Sequence, residues 1–141
     1  MAQHWPGRCV LAADTVVIAG TTLFGKPADR DDARRMLRVL SGRTHRVFTA
    51  VALVDAAGHI AEIAVQSEVE FRQLTTDEIE AYLDSDEAFD KAGAYAIQGL
   101  ARKFVTRVRG SYSNVIGFPM DEVLELLRRH CPSEMTAAVA P

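Results

Sequence analysis

The sequence predicts a mixed α/β domain in which an elongated mixed sheet is flanked by helices. Residues 44–54 and 60–71 alternate apolar and polar positions, as half-buried strands do, whereas residues 29–40 and 120–130 carry apolar residues at helical spacing. Strands and helices do not alternate strictly along the chain, so a doubly wound parallel sheet is not expected. With 141 residues, 48% of them hydrophobic, the chain is long enough to bury one core.

The first third of the chain predicts a strand, a hairpin turn and a helix. Residues 10–19 form an apolar run rich in β-branched residues and interrupted by Asp14, which is typical of a buried strand. A hairpin turn is expected around residues 20–24. The helix over residues 29–40 begins with acidic residues and ends before Gly42, as the helix dipole and the helix-breaking glycine favour.

The middle and the end of the chain predict an antiparallel pair and two further helices. The strands at 44–54 and 60–71 follow each other directly and should pair. Thr75 and Glu78 have the spacing of a capping box, which predicts a short helix from about residue 76 to residue 84. Pro119 then leads into the amphipathic helix over residues 120–130.

A weaker strand is expected around residues 104–108, where apolar and basic residues are interleaved. The basic residues are Arg102, Lys103, Arg107 and Arg109. This patch could bind phosphate or RNA, but a sheet edge protected by charge has the same composition and requires no ligand.

Composition excludes several classes of protein. The formal net charge of −3 and the pI near 5.8 provide no general basic field, so no nucleic-acid partner is expected. No apolar run approaches the roughly 18 residues of a membrane span, and no membrane association is expected. Cys9 and Cys131 lack metal-ligand spacing and are expected to be reduced in a cytoplasmic protein. The four histidines do not form a zinc set.

Two places in the chain have the composition of a site. Residues 90–99 combine glycines with Asp90, Lys91 and Gln98, an acceptor, a cation and an amide that could read a base edge. A solvated turn with an Asp90–Lys91 ion pair is the alternative. Asp14 is either a ligand-facing acid or a salt-bridged acid of the core.

Five segments in chain order together resemble the Maf family of nucleoside triphosphate pyrophosphatases. They are residues 12–17 (AADTVV), 25–27 (GKP), 41–45 (SGRTH), 90–99 (DKAGAYAIQG) and 110–119 (GSYSNVIGFP). The resemblance runs from about Leu11 to about Arg128 and implies the fold shared by Maf proteins and inosine triphosphatases. With glutamine at Gln98, the fourth segment is similar to that of the branch that acts on dTTP and UTP.

The resemblance implies that dTTP or UTP is hydrolysed to the nucleoside monophosphate and pyrophosphate. Asp14 matches the general base and Lys26 the phosphate partner, while Thr15 and Gln98 match specificity positions. Asp90 and Lys91 would position the phosphates or the metal. The implied cofactor is a divalent cation, magnesium or manganese, whose ligands the sequence leaves unassigned.

This chain departs from the family pattern at its N-terminus, where the usual strand and Ser-Pro-Arg-Arg loop are not found. We therefore expect a non-family segment at residues 1–10, a Maf-like domain at 11–130 and a flexible tail at 131–141. The truncation should leave a strand edge unpaired and an apolar face uncovered, so a homodimer is possible. The alternative function is a catalytically weak or inactive nucleotide-binding or regulatory module, because charged phosphate contacts would be lost.

Overall fold

A five-stranded antiparallel sheet organises the chain. The computed structural model describes residues 7–139, with side chains as far as residue 135. The strands are β1 (Val10–Ala19), β2 (Thr22–Phe24), β3 (Thr44–Val54), β4 (Ile60–Phe71) and β5 (Val105–Arg109). Their order in the sheet is β2-β1-β3-β4-β5. The helices are α1 (Arg30–Leu40), α2 (Thr76–Leu83), α3 (Tyr112–Ile116), α4 (Met120–His130) and α5 (Pro132–Val139). The predicted mixed α/β class is confirmed, although every strand pair in the described part of the chain is antiparallel.

The sheet has one covered face and one open face. Thr15, Thr49 and Val65 lie side by side on the covered face, and the adjacent row of Asp14, Ala50 and Ala64 lies on the open face. Both hydrophobic clusters use strand residues of the covered face. Helices α1 and α2 pack over one half of it, and α4 packs over the other half.

The prediction that β1 is a buried strand is wrong for its first half. The side chains of Ala12, Ala13 and Asp14 are exposed, and β2 pairs only with Val17–Ala19. Residues 10–16 therefore have a strand partner only on the β3 side within the described chain. Among residues 7–139, the edge of β1 next to Asp14 is therefore without a strand partner.

The local helix signals are confirmed. Asp29 caps α1 by accepting a hydrogen bond from the Asp32 N–H at 2.8 Å. Thr75 and Glu78 form the predicted capping box of α2. Helix α4 spans residues 120–130 as predicted, with its inward residues packed on the covered face.

The two helices over the first half of the sheet are joined by an ion-pair network. Glu80 of α2 accepts hydrogen bonds from Arg30 and Arg34 of α1, and Arg30 also contacts Asp84 at 2.8 Å. The two guanidinium groups, Arg34 first, lower the pKa of Glu80 to about 2. Arg30 and Arg34 therefore connect α1 to α2 through ion pairs, in addition to lying on the solvent-exposed side of α1.

The C-terminal segment differs from two predictions. Cys9 and Cys131 are joined by a disulfide, with a Cα–Cα distance of 6.5 Å, so the prediction of reduced cysteines is wrong for this structure. Residues 132–139 form α5 rather than a loose tail, and Glu134 accepts a hydrogen bond from the Cys9 N–H at 3.1 Å. None of the helices within residues 7–139 has the length and apolarity needed to cross a membrane.

Candidate active site

One pocket brings together four of the five family-like segments that the sequence singles out. It has a volume of about 480 Å³ and lies against β1. Its walls are residues 13–17 of β1, Gly25 and Lys26, the loop from Asp90 to Tyr95, and residues 115–117 at the end of α3, with Val47 below. We refer to this cavity as the β1 pocket. Its size fits a small-molecule ligand.

The loop that forms one wall packs closely against β1 at Gly93. The Gly93 N–H donates to the Gly25 carbonyl oxygen at 3.1 Å, and Gly93 has a positive φ of 72°. A Cβ atom at Gly93 would lie 2.9 Å from Cγ2 of Val17. Ala94 follows with φ 66°, which is uncommon for a residue with a side chain. The glycine thus sets the distance between the loop and β1.

The charged side chains of the pocket are two carboxylates and two lysines. Lys91 Nζ lies 3.2 Å from Asp90 Oδ2, so the ion pair that the sequence leaves as an alternative is present at the pocket wall. Lys26 is exposed and makes no ion pair or hydrogen bond with another described residue. Its ammonium group is therefore available to an anionic ligand.

Asp14 lies where the β1 pocket meets the open face of the sheet. It lines this pocket and also a shallow depression of about 510 Å³ on the open face, beside Ala12, Ala50 and Ala52. Its carboxylate is exposed and has no partner among the described residues. Of the two interpretations that the sequence leaves open, a salt-bridged acid of the core is excluded, and a solvent-accessible acceptor remains.

Gln98 is not brought to the pocket. It is exposed in the turn after Ile97, and its side chain makes no hydrogen bond within the described chain. The adjacent Gly99 packs against Glu87, whose carboxylate accepts a hydrogen bond from the Leu100 N–H at 3.0 Å. The structure therefore brings Asp14, Thr15, Lys26, Asp90 and Lys91 together without Gln98.

Tyr95 and the end of α3 line the pocket, although the sequence-based predictions give them no functional role. His45, a candidate from the segment at residues 41–45, lies behind the pocket with its Nε2 atom 2.7 Å from the Tyr95 Oη atom. Arg43, the other candidate of that segment, lies in a surface depression beside α1. The signal for Tyr95 and α3 was their position inside two of the five family-like segments.

The basic patch near β5 belongs to the sheet edge. Arg107 and Arg109 lie opposite Glu70 and Glu68 in the β4–β5 register, and the Arg109–Glu68 pair is 3.9 Å apart. None of these residues lines the β1 pocket. This arrangement favours the interpretation of a strand edge protected by charge.

The described residues form no complete metal cage. No cluster of three or more His, Cys, Asp or Glu side chains within them could hold an ion. Asp14 and Asp90 nevertheless line the same pocket. Magnesium is commonly held by one or two carboxylates together with substrate phosphates, and these two acids fit that mode of binding.

The fold and the site together define a mixed α/β domain with one open pocket whose walls carry two carboxylates and two lysines. The chain belongs to the Maf-like protein family, whose model matches residues 1–130. The match begins ahead of the expected boundary at Leu11 and ends where the tail was expected to begin.

Several relatives about 50% identical to this chain are named dTTP/UTP pyrophosphatases. The chain is 53% identical over 131 residues to a dTTP/UTP pyrophosphatase of Anaeromyxobacter dehalogenans strain 2CP-1, covering 91% of this chain and 68% of the relative. It is 55% identical over 119 residues to the dTTP/UTP pyrophosphatase of Hahella chejuensis, covering 84% and 59%. It is 52% identical over 127 residues to the dTTP/UTP pyrophosphatase of Escherichia coli K12, covering 90% and 64%. The chain thus spans about 59% to 68% of the length of these relatives.

Proposed function

We propose that the chain is a nucleoside triphosphate pyrophosphatase that hydrolyses dTTP and UTP to the nucleoside monophosphate and pyrophosphate. The observation that carries this proposal is the shared pocket of Asp14 and Lys26, a free carboxylate and a free ammonium group on adjoining walls. The names of relatives at about 50% identity support the choice of reaction and nucleotide.

In the proposed reaction the Asp14 carboxylate accepts a proton from a water molecule as its oxygen attacks the α-phosphorus. The bond from that phosphorus to the α–β bridging oxygen breaks, and pyrophosphate leaves. Lys26 offsets the negative charge of the phosphates, and Lys91 adds a second cation that is partly neutralised by Asp90. A magnesium or manganese ion near Asp14 and Asp90 would supply charge stabilisation on the phosphate oxygens.

Thr15 and Gln98 are proposed to recognise the base. Thr15 lines the pocket, and its hydroxyl group is a hydrogen-bonding group there. Gln98 has a free amide, which matches the carbonyl and N–H pattern of uracil and thymine. Because Gln98 lies outside the pocket walls, this role requires the turn at residues 96–99 to approach the bound nucleotide.

Pyrophosphate release from dTTP and UTP by the parent and by Asp14→Asn, with magnesium or manganese, tests the proposal. The variant keeps the shape and removes the base, so turnover should be lost while calorimetric nucleotide binding is largely retained. Asp77→Asn, an exposed acid in the first turn of α2, is the matched control and should behave as the parent. Equal turnover by Asp14→Asn and the parent contradicts the assignment of the base.

A nucleotide-binding or regulatory module with weak or no turnover is the second candidate. The observation that favours it is the small number of cations at the pocket, where Lys26 alone among the described wall residues is a cation free of an ion pair. Charged hydrogen bonds contribute roughly 1.5–3 kcal/mol each, so a site with few of them can bind a nucleotide weakly and turn it over slowly. Binding without pyrophosphate release by the parent would identify this candidate.

Assembly and location belong to the same proposal. The unpaired edge of β1 and the open face of the sheet favour a homodimer, which sedimentation analysis can test.

A cytoplasmic location is proposed for an enzyme of nucleotide metabolism, with no nucleic-acid or membrane partner.

A further inference from the structure

The buried polar side chains of the described chain all lie behind the β1 pocket. They are His45, Thr49, Ser67 and Asn114. Burial of a polar group costs free energy unless the group is hydrogen-bonded. A cluster of buried polar side chains therefore does not by itself stabilise the fold. Their common position suggests that they serve the pocket wall.

Two of these groups hold the α3 wall. The Asn114 side-chain amide donates to the Val47 carbonyl oxygen at 3.2 Å and to the Val65 carbonyl oxygen at 3.1 Å. The Ser67 hydroxyl donates to the Ser111 carbonyl oxygen at 2.8 Å. Residues 115–117 of the pocket wall are thereby fixed to β3 and β4.

Thr49 acts on a single pocket residue. It lies directly opposite Thr15 in the β1–β3 register, is fully buried, and has its Oγ1 atom 2.9 Å from Oγ1 of Thr15. Thr15 Oγ1 also lies 3.4 Å from the Gly117 carbonyl oxygen, which can only accept. Each hydroxyl group has one proton, and Thr15 is the only side-chain partner of Thr49 among the described residues, so the Thr49 proton finds an acceptor only if Thr49 donates to Thr15. The Thr15 proton then has the Gly117 carbonyl oxygen as its acceptor within the described chain.

We infer that Thr49 is a positioning residue that sets the hydrogen-bonding direction of Thr15. With its own proton directed to Gly117, the Thr15 hydroxyl presents a lone pair to the β1 pocket and acts there as an acceptor. An acceptor is complementary to the N3–H group of thymine or uracil and not to the unprotonated N3 atom of cytosine. This inference rests on the proposed function and concerns how that site distinguishes dTTP from dCTP.

The test compares kcat and KM for dTTP and dCTP in the parent, Thr49→Val, Thr49→Ser and Thr15→Val. Valine keeps the shape and removes the hydroxyl group. Thr49→Val should lower the preference for dTTP about three- to tenfold, mainly through a higher KM for dTTP with kcat nearly unchanged. Thr49→Ser retains the hydroxyl and should keep the preference within about twofold.

A double-mutant cycle separates positioning from structural loss. If Thr49 acts through Thr15, Thr49→Val should have no further effect on the preference in a Thr15→Val background. An unchanged preference for dTTP in Thr49→Val overturns the inference, even if the variant has a lower melting temperature. The inference is also overturned if the effects of Thr49→Val and Thr15→Val on the preference multiply in the double variant. If the parent binds the nucleotides without turnover, the preference is measured instead as the ratio of the dissociation constants for dCTP and dTTP. A parent that neither binds nor hydrolyses either nucleotide overturns the proposed function and this inference together.

Discussion

His45 and Tyr95 are joined by a buried hydrogen bond of 2.7 Å between Nε2 and Oη, directly behind the β1 pocket. Both rings make edge contacts with Phe71, at centroid distances of 5.0 Å for His45 and 4.8 Å for Tyr95. Burial lowers the pKa of His45 to about 4 and raises the pKa of Tyr95. The pair is therefore uncharged at neutral pH, and its cost of burial is limited to the unpartnered Nδ1 atom of His45.

This pair predicts that the protein loses stability as the pH falls from about 6.5 to about 4. In that window the unfolded chain protonates His45, whose ordinary pKa is 6.5, and the folded chain does not. Since the unfolded state then binds more protons, acid favours unfolding. The loss attributable to His45 should reach up to roughly 3 kcal/mol at the low end of the window. Urea unfolding at a series of pH values measures it.

His45→Gln is the variant that isolates this effect. It should be less stable than the parent at pH 7, where the Tyr95 contact is altered, and its stability should change less between pH 6.5 and 4. Arginine contacts lower the carboxyl pKa values of Glu78 and Glu80 to about 2. The stability that these two carboxylates contribute is therefore lost mainly below pH 4.5. Parallel pH profiles for the parent and His45→Gln above pH 4.5 would contradict the prediction.

The close approach of Gly93 to β1 predicts that Gly93→Ala is strongly destabilising. The Cβ atom of an alanine at this position would lie 2.9 Å from Cγ2 of Val17. The alanine backbone would also have to adopt a φ of 72°. The clash and the backbone strain together should cost about 2–4 kcal/mol. Thermal unfolding measures this directly.

The neighbouring residue offers the matched control. Ala94 already has a positive φ of 66° and is fully buried. Ala94→Gly relieves the backbone strain but loses a buried methyl group and adds freedom to the unfolded chain, so its net effect should be within about 1 kcal/mol. If Gly93→Ala were no more destabilising than Ala94→Gly, the loop would not be set by this contact.

Elements with local signals were predictable from the sequence. The alternation in β3 and β4, the apolar spacing in α1 and α4, and the Thr75–Glu78 capping box depend on nearby residues only. The exposure of Asp14 was not predictable in this way, because it depends on which elements pack over β1. The local signal was an apolar run, which does not distinguish an edge strand from a buried one.

The buried polar residues behind the β1 pocket could be predicted only in part from the sequence. Thr49 and Ser67 occupy phases of β3 and β4 that alternation assigns to the buried face, where a polar residue is a signal in itself. Their partners Thr15 and Ser111 are 34 and 44 residues away, and no local pattern specifies such pairings. The position of Gln98 outside the pocket walls likewise follows from the path of one turn.

Asn114 should be sensitive to the loss of its amide hydrogens. Its side chain donates to two strand carbonyl oxygens and to the Ser67 hydroxyl while fully buried. Asn114→Asp keeps the shape but places acceptors against these oxygen atoms, so a loss of at least about 3 kcal/mol in the free energy of unfolding is expected. Ser113 lies in the same helix as Asn114, and its hydroxyl accepts a hydrogen bond from the Met120 N–H at the start of α4. Ser113→Ala removes that hydroxyl and should cost about 1 kcal/mol. A similar loss in the two variants, by denaturant titration, would show that the Asn114 contacts are not specific.

The Cys9–Cys131 disulfide should make stability depend on the redox state of the protein. It closes a separation of 122 residues and joins the start of β1 to the end of α4, beside the apolar cluster under α4. Because a cross-link restricts the unfolded chain, reduction should lower the free energy of unfolding by about 2–5 kcal/mol. Urea titration with and without a dithiol measures the difference, and a Cys9→Ser, Cys131→Ser double variant should match the reduced parent and ignore the reductant. Identical midpoints for the oxidised and reduced parent, with thiol titration confirming both states, would show that the packing of α4 alone holds this end of the sheet.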